Sequence, residues 1–173
     1  IVELGELLVR KYKLRPPTKG KNGAEIFVDD PIPVKVDDGG VGGGVVDRLR
    51  QMKRNNPQAL WWLEIYPIKF GVKIKHHYYD DSTTYMMSIV RNLLTPHDEE
   101  GKEKPVEIIL PDDDHLVAQL SGRKYALTDN GKLRVESKQK MKDRGLPSPD
   151  EADRILLVCL PVKLPKKGVT NWK

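Results

Sequence analysis

The strongest constraint on this chain is a short apolar run that ends on two carboxylates and then turns through five glycines. Val34-Lys35-Val36 alternates as a strand does, and Asp37 and Asp38 close it. Gly39, Gly40, Gly42, Gly43 and Gly44 give the backbone freedom to reverse tightly. Val45, Leu49 and Met52 then recur at helical spacing to about Arg54, and Asn55-Asn56-Pro57 ends the helix. Strand, glycine turn and helix in this order make a phosphate-binding loop, or else hold side chains at the carboxyl end of a strand. A Walker loop fails, because Gly44 is followed by Val45-Val46 and not by Lys and Ser or Thr. A dinucleotide loop fits better, with Gly40, Gly42 and Gly44 and with Glu64 about twenty residues on. Asp37 and Asp38 oppose it, since carboxylates repel a pyrophosphate. The same two acids suit Mg²⁺, which prefers hard oxygen ligands. The plainest alternative is a turn and nothing more, since Asp and Gly are both turn formers.

The rest of the chain alternates helical and extended patterns. Residues 1–14 predict a helix with Ile1, Leu4, Leu8 and Tyr12 on one face and Leu7 beside them. Short strands are expected over 26–28, 34–36, 60–66, 71–76 and 106–110, with Pro31, Pro33 and Pro67 as interruptions. Helices are expected over 80–94, 112–120, 137–144 and 148–160. Asn130-Gly131 predicts a hairpin between 124–127 and 133–135. This alternation defines an α/β class and one domain over 1–173, with 161–173 as a basic, frayed tail.

Charge narrows the partners. The 173 residues carry a formal net charge of +5, which suits a polyanion such as nucleic acid. Basic residues are dispersed, while acids clump at Asp29-Asp30, Asp37-Asp38, Asp80-Asp81, Asp112-Asp113-Asp114 and Asp150-Glu151 with Asp153. Acidic knots on a basic chain match an enzyme that binds both metal ions and phosphates. No apolar run approaches the roughly 20 residues of a membrane span, and no basic-then-apolar leader opens the sequence. The single Cys159 forms no internal disulfide and reads as a core thiol. His76-His77 lacks zinc-ligand spacing, Trp61-Trp62 reads as packing, and the acids at 112–114 read first as helix caps.

In the last helix, Ser148 is placed as N-cap, Pro149 as first residue and Glu151 as partner in a capping box. Asp150 and Asp153 share a face at i,i+3 spacing. Asp153 also borders the apolar stripe of Ala152, Ile155, Leu156 and Cys159, where a half-buried carboxylate needs a partner. A Lys, an Arg or a divalent metal would each serve.

Three segments together resemble the nuclease domain of the large terminase subunit of tailed bacteriophages. They are Val36-Asp37-Asp38-Gly39-Gly40 through Leu49; Ile109-Leu110-Pro111-Asp112-Asp113-Asp114-His115-Leu116 with Gln119-Leu120; and Gly131-Lys132-Leu133-Arg134-Val135 through Arg144-Gly145-Leu146-Pro147 to Asp153. Their order and spacing hold over about residues 34–160. The resemblance implies an RNase H-like mixed sheet flanked by helices and an endonuclease that cuts double-stranded DNA with two Mg²⁺ or Mn²⁺ ions. It implies Asp37 and Asp153 as catalytic carboxylates, with Asp150 as a further metal ligand. A third acid is expected upstream of Ile1, together with the first strands of the sheet. Lys138, Lys140 and Lys142 would contact backbone phosphates, although a run of lysines is also an ordinary solvated helix face. The implied partners are an ATPase domain, a small terminase subunit and a portal protein, in the host bacterial cytoplasm. The rival readings are another RNase H-like resolvase or transposase core, a non-catalytic DNA-binding module, and the dinucleotide enzyme.

Overall fold

The computed structural model describes residues 1–40, 42–98 and 100–162, and the backbone of Val169–Thr170. Two compact units divide the chain: Ile1–Ile68 with Pro161–Lys173, and Lys69–Leu160.

In the first unit, α1 (Val2–Tyr12) is followed by two short strands, β1 (Thr18–Lys19) and β2 (Glu25–Ile26), which pair antiparallel. Then come β3 (Ile32–Asp37), α2 (Gly42–Asn55) and β4 (Leu63–Ile68). β3 and β4 run parallel, from Ile32 opposite Leu63 to Asp37 opposite Ile68, so β3–α2–β4 is a crossover unit. Its core is Leu49, Leu60, Trp62 and Leu63, against which Val2, Val9, Val34, Val36 and Ile65 pack. Val169–Thr170 pairs with β2; the rest of the expected tail from Lys163 on lies outside the described residues.

Two sequence expectations change here. Pro33 and Pro67 lie inside β3 and β4 and do not interrupt them. Each strand of a two-stranded pair has an edge facing away from its partner, and a proline there removes no ladder bond. The buried side of α1 is also not the predicted one: Ile1, Leu4, Leu7 and Tyr12 are exposed, while Val2, Gly5 and Val9 face the core. Gly5 decides this, because a Cβ at that position would come within 1.9 Å of the Trp62 ring. The bare glycine lets the indole lie against the helix, so the buried stripe is built around the smallest residue and not the bulkiest.

The glycine turn has a similar logic. Gly40 adopts φ +56°, a conformation that suits glycine. At Gly42 a Cβ would sit 1.5 Å from the Asp37 carbonyl oxygen, so α2 starts directly against the end of β3.

In the second unit, α3 (Ser82–Leu94) and α4 (Asp114–Ser121) precede the hairpin of β5 (Tyr125–Leu127) and β6 (Leu133–Val135); α5 (Lys138–Asp143) and α6 (Asp150–Cys159) follow. α6 packs against both α3 and α4. Met86, Val90, Leu116, Met141, Ala152 and Leu156 are buried. The hairpin forms as expected, with Gly131 at φ +70°. The strands expected at 71–76 and 106–110 do not form: the first leaves one isolated bridge, between Lys73 and Asp81, and the second is irregular. Residues 106–110 have strand-forming side chains, but no strand lies beside them among the described residues, and Ile109 is 95% exposed. No helix among the described residues is long and apolar enough to cross a membrane.

Replacing Gly42 with alanine forces β3 and α2 apart. The expected loss is about 1–3 kcal/mol or more, readable by chemical denaturation, whereas Gly44→Ala, where a Cβ meets nothing within 4 Å, is tolerated.

Candidate functional site

Asp37 ends β3 in the first unit. Its Oδ1 accepts a hydrogen bond from the Gly39 N–H at 2.9 Å, and the Asp38 N–H donates to the Ile68 carbonyl at 2.8 Å. The carboxylate therefore does serve the turn, as the plainest sequence reading held. Its Oδ2 takes no hydrogen bond among the described residues. Glu64, the acid a dinucleotide site would use, is instead ion-paired with Lys53 at 3.2 Å.

Asp150 and Asp153 lie in the first turn of α6 in the second unit. The start of this helix is not capped as the sequence predicts. Gln119 of α4 reaches across and its Oε1 accepts from the N–H groups of Glu151 and Ala152 at 2.9 and 3.1 Å. Its Nε2 donates to Glu151 Oε2 at 3.2 Å, so the capping-box partner is taken. The Ser148 hydroxyl turns to Asp150 Oδ1 at 2.6 Å. A tertiary contact between α4 and α6 replaces the local cap.

Asp153 is buried, with 8% of its side chain exposed, and has cations on both sides. Arg123, 2% exposed, donates from Nη2 to Asp153 Oδ1 at 3.0 Å. The Lys138 ammonium lies 2.6 Å from Asp153 Oδ2 and 3.5 Å from Asp150 Oδ1. Burial acts to lower the Lys138 pKa, but Asp153 and then Asp150 outweigh it and hold it above the ordinary lysine value. The Ser148 hydrogen bond holds the Asp150 carboxyl below the usual range against some burial, and Lys138 adds to the effect.

The structure thus brings Asp150, Asp153 and Lys138 together, while Asp37 belongs to the other unit. Lys138, expected on phosphate, sits on the two α6 carboxylates. Lys140 and Lys142 are exposed on α5 and make no ion pair among the described residues. Among the described residues no three His, Cys, Asp or Glu side chains cluster as a ready metal centre. The α6 pair nevertheless fits a metal ion in kind: its two carboxylates already share one cation, and hard oxygens are the donors Mg²⁺ and Mn²⁺ take.

Sequence reasoning missed the cap that Gln119 makes on α6 and the buried pairing of Arg123, both with partners some thirty residues away in the chain, and also the role of Asp80-Asp81. Asp80 is buried and ion-paired with both Lys73 and Arg134. Asp81 caps α3 by accepting from the Thr84 N–H at 2.8 Å. Thr84 Oγ1 in turn donates to Asp81 and accepts from the Val135 N–H at 3.0 Å, which ties the hairpin to α3. Beside this cluster is an open groove of about 620 Å³, lined by Lys73, Lys124, Arg134 and Lys140 among others.

No protein-family model and no curated protein sequence matches the chain. Its architecture is nevertheless a known one: a mixed α/β fold like that of solved phage terminase nuclease domains. The nuclease domain of the large terminase subunit gp2 of bacterial virus Sf6 superposes with a TM-score of 0.55 at 18% identity, over 76% of this chain and 66% of that one. A lysine-to-alanine variant of that domain solved with manganese gives 0.54 at 17% identity, over 75% and 66%. The same variant with manganese and β-thujaplicinol gives 0.53 at 18%, over 76% and 66%. The chain therefore spans just under two thirds of the length of those domains.

The Lys73 hydrogen bond, aided by Arg134, holds the Asp80 carboxyl below its ordinary pKa despite burial. A folded pKa below the unfolded one stabilises the fold above the unfolded value of about 3.9 and ceases to do so as pH falls through the folded value. Asp80→Asn is expected to lower the Tm at pH 7, and the gap to wild type to shrink as pH falls below the unfolded value of about 3.9, as thermal melts across pH will show.

Proposed function

We propose that this chain is the endonuclease domain of a DNA-packaging terminase and cuts double-stranded DNA by metal-dependent hydrolysis of a phosphodiester. The observation that carries this reading is the Asp150–Asp153 pair, which holds a cation within an RNase H-like fold. The manganese present in the neighbouring structures supports it. On this reading Asp37 and Asp153 are the catalytic carboxylates and Asp150 is a further ligand. Two Mg²⁺ or Mn²⁺ ions, when bound, would supply water activation and charge neutralisation at the leaving 3′ oxygen.

The chain's own residues have the remaining work. Asp153 offers Oδ2 on the side away from Arg123, and Asp150, largely exposed, can follow an incoming cation. Lys138 must leave the position it now holds, and on this reading its charge then serves a backbone phosphate of the bound DNA. Lys140 lines the groove with Lys73, Lys124 and Arg134, alongside the acids Asp80, Asp129 and Glu136, while Lys142, two residues on, is exposed on another side of α5. Such contacts carry no base information and add salt-dependent affinity. The partners on this reading are duplex DNA, a terminase ATPase domain, a small subunit and a portal protein, in the cytoplasm of an infected bacterium.

The seating of Lys138 on both α6 acids favours a second reading, a DNA-binding module without catalysis. Plasmid nicking separates the two. The nuclease reading expects Mn²⁺-dependent nicking that falls at least about 100-fold, or about 2.7 kcal/mol, in Asp37→Asn and in Asp153→Asn. Asparagine is the better replacement, because it keeps an oxygen to accept from Arg123 Nη2, but it too leaves the buried Arg123 charge unbalanced, so thermal melts accompany the assay to check that the variant folds. Wild-type protein that binds DNA and never nicks it establishes the second reading. Preference for branched over linear DNA would place the chain with resolvases.

A further inference from the structure

We infer that Arg123 is a positioning residue for Asp153, fixing one carboxylate oxygen so that the other is presented to a cation. The inference rests on the reading of Asp153 as a metal ligand. Arg123 follows directly on Gly122, the C-cap of α4, and its side chain runs into the interior to reach α6. Only 2% of it is exposed, and it borders an apolar groove of about 1030 Å³ together with Val90, Leu94, Leu120 and Leu156. A charge in such surroundings is costly, and packing alone is better served by an apolar side chain.

The geometry shows what the charge is for. A guanidinium commonly grips a carboxylate with two parallel hydrogen bonds. Here the grip is single: Nη2 donates to Oδ1 at 3.0 Å, while Nε is buried and takes no partner among the described residues. Asp153 Oδ2 is left to face the opposite side, where the Lys138 ammonium lies 2.6 Å away. The two cations differ in kind. The Arg123 side chain is 2% exposed, whereas the Lys138 side chain is 46% exposed. One oxygen of Asp153 is therefore held by a buried guanidinium, while the other is buried, lies beside the Lys138 ammonium and has no hydrogen-bond partner of good geometry among the described residues. Hydrogen bonds of this outer kind hold metal ligands in place, and their loss typically weakens metal affinity about 10–100-fold.

The test measures Mn²⁺ binding by calorimetry without DNA, alongside thermal melts, for wild type, Asp153→Asn, Arg123→Met, Arg123→Lys and the Arg123→Met/Asp153→Asn double variant. Arg123→Met is expected to raise the Mn²⁺ Kd about 10–100-fold, and Arg123→Lys to recover part of that loss. The Mn²⁺ concentration that half-saturates nicking should rise with the Kd, while the rate at saturating Mn²⁺ changes little. The double variant should bind no more weakly than Asp153→Asn alone. If Arg123→Met does not fold, Arg123→Lys and Arg123→Gln decide, because both keep a donor and disturb its geometry. Folded Arg123 variants with the wild-type Kd overturn the positioning role even where Asp153→Asn loses Mn²⁺. Equal Mn²⁺ binding by wild type and Asp153→Asn overturns the reading of Asp153 as a ligand, and the positioning role with it.

Discussion

The buried ion pair between Arg123 and Asp153 is the interaction on which the second unit turns. It joins the end of α4 to the first turn of α6 at the point where Gln119 caps the same helix. Two charges leave water to make it, and such pairs add little net stability compared with apolar packing of the same volume. What the pair does impose is orientation. With Arg123 behind Asp153 and Gln119 on the backbone N–H groups of Glu151 and Ala152, the first turn of α6 and the Asp153 carboxylate are held in one orientation. Asp150 and Asp153 then face Lys138 together.

The first unit depends on close approach. α2 abuts the end of β3 through Gly42, and α1 lies on Trp62 through Gly5. Both contacts are closed to any side chain larger than hydrogen. The carboxylate of Asp37 is placed by the same turn, with Gly39 bound to one oxygen. Asp37 is thus held by the backbone of its own turn, and Asp153 by a buried partner.

Much of this was legible in the sequence wherever the governing physics is local. The strand, glycine turn and helix from Val34 onward, the hairpin over Asn130-Gly131 and the helix spans follow from spacing and turn chemistry. The carboxylate at a strand end and the acids on one helix face were legible for the same reason. Tertiary contacts were not. The exposed Ile1 and Leu4 and the buried Gly5 reverse the apolar face of α1, because Trp62 supplies the contact from far along the chain. Ser148 looks like a cap and loses that place to Gln119. Arg123, in the run Ser121-Gly122-Arg123-Lys124, carries no local sign that it is buried while its neighbour is exposed. The half-buried position of Asp153 was foreseeable; the identity of its partners was not.

That leaves the acidic clumps sorted by what holds them. Asp80 and Asp81 lock the hairpin to α3, Asp113 caps α4, and Asp29 pairs with Arg15. Asp150 and Asp153 share a cation that is itself partly exposed. The most direct measurement of whether that cation stands in for a metal is anomalous scattering from crystals soaked in Mn²⁺. A manganese peak about 2.1–2.3 Å from Asp153 Oδ2, with Lys138 displaced from the carboxylates, is the predicted result. Saturating Mn²⁺ with no peak at Asp153, and Lys138 still seated between the two acids, would contradict it.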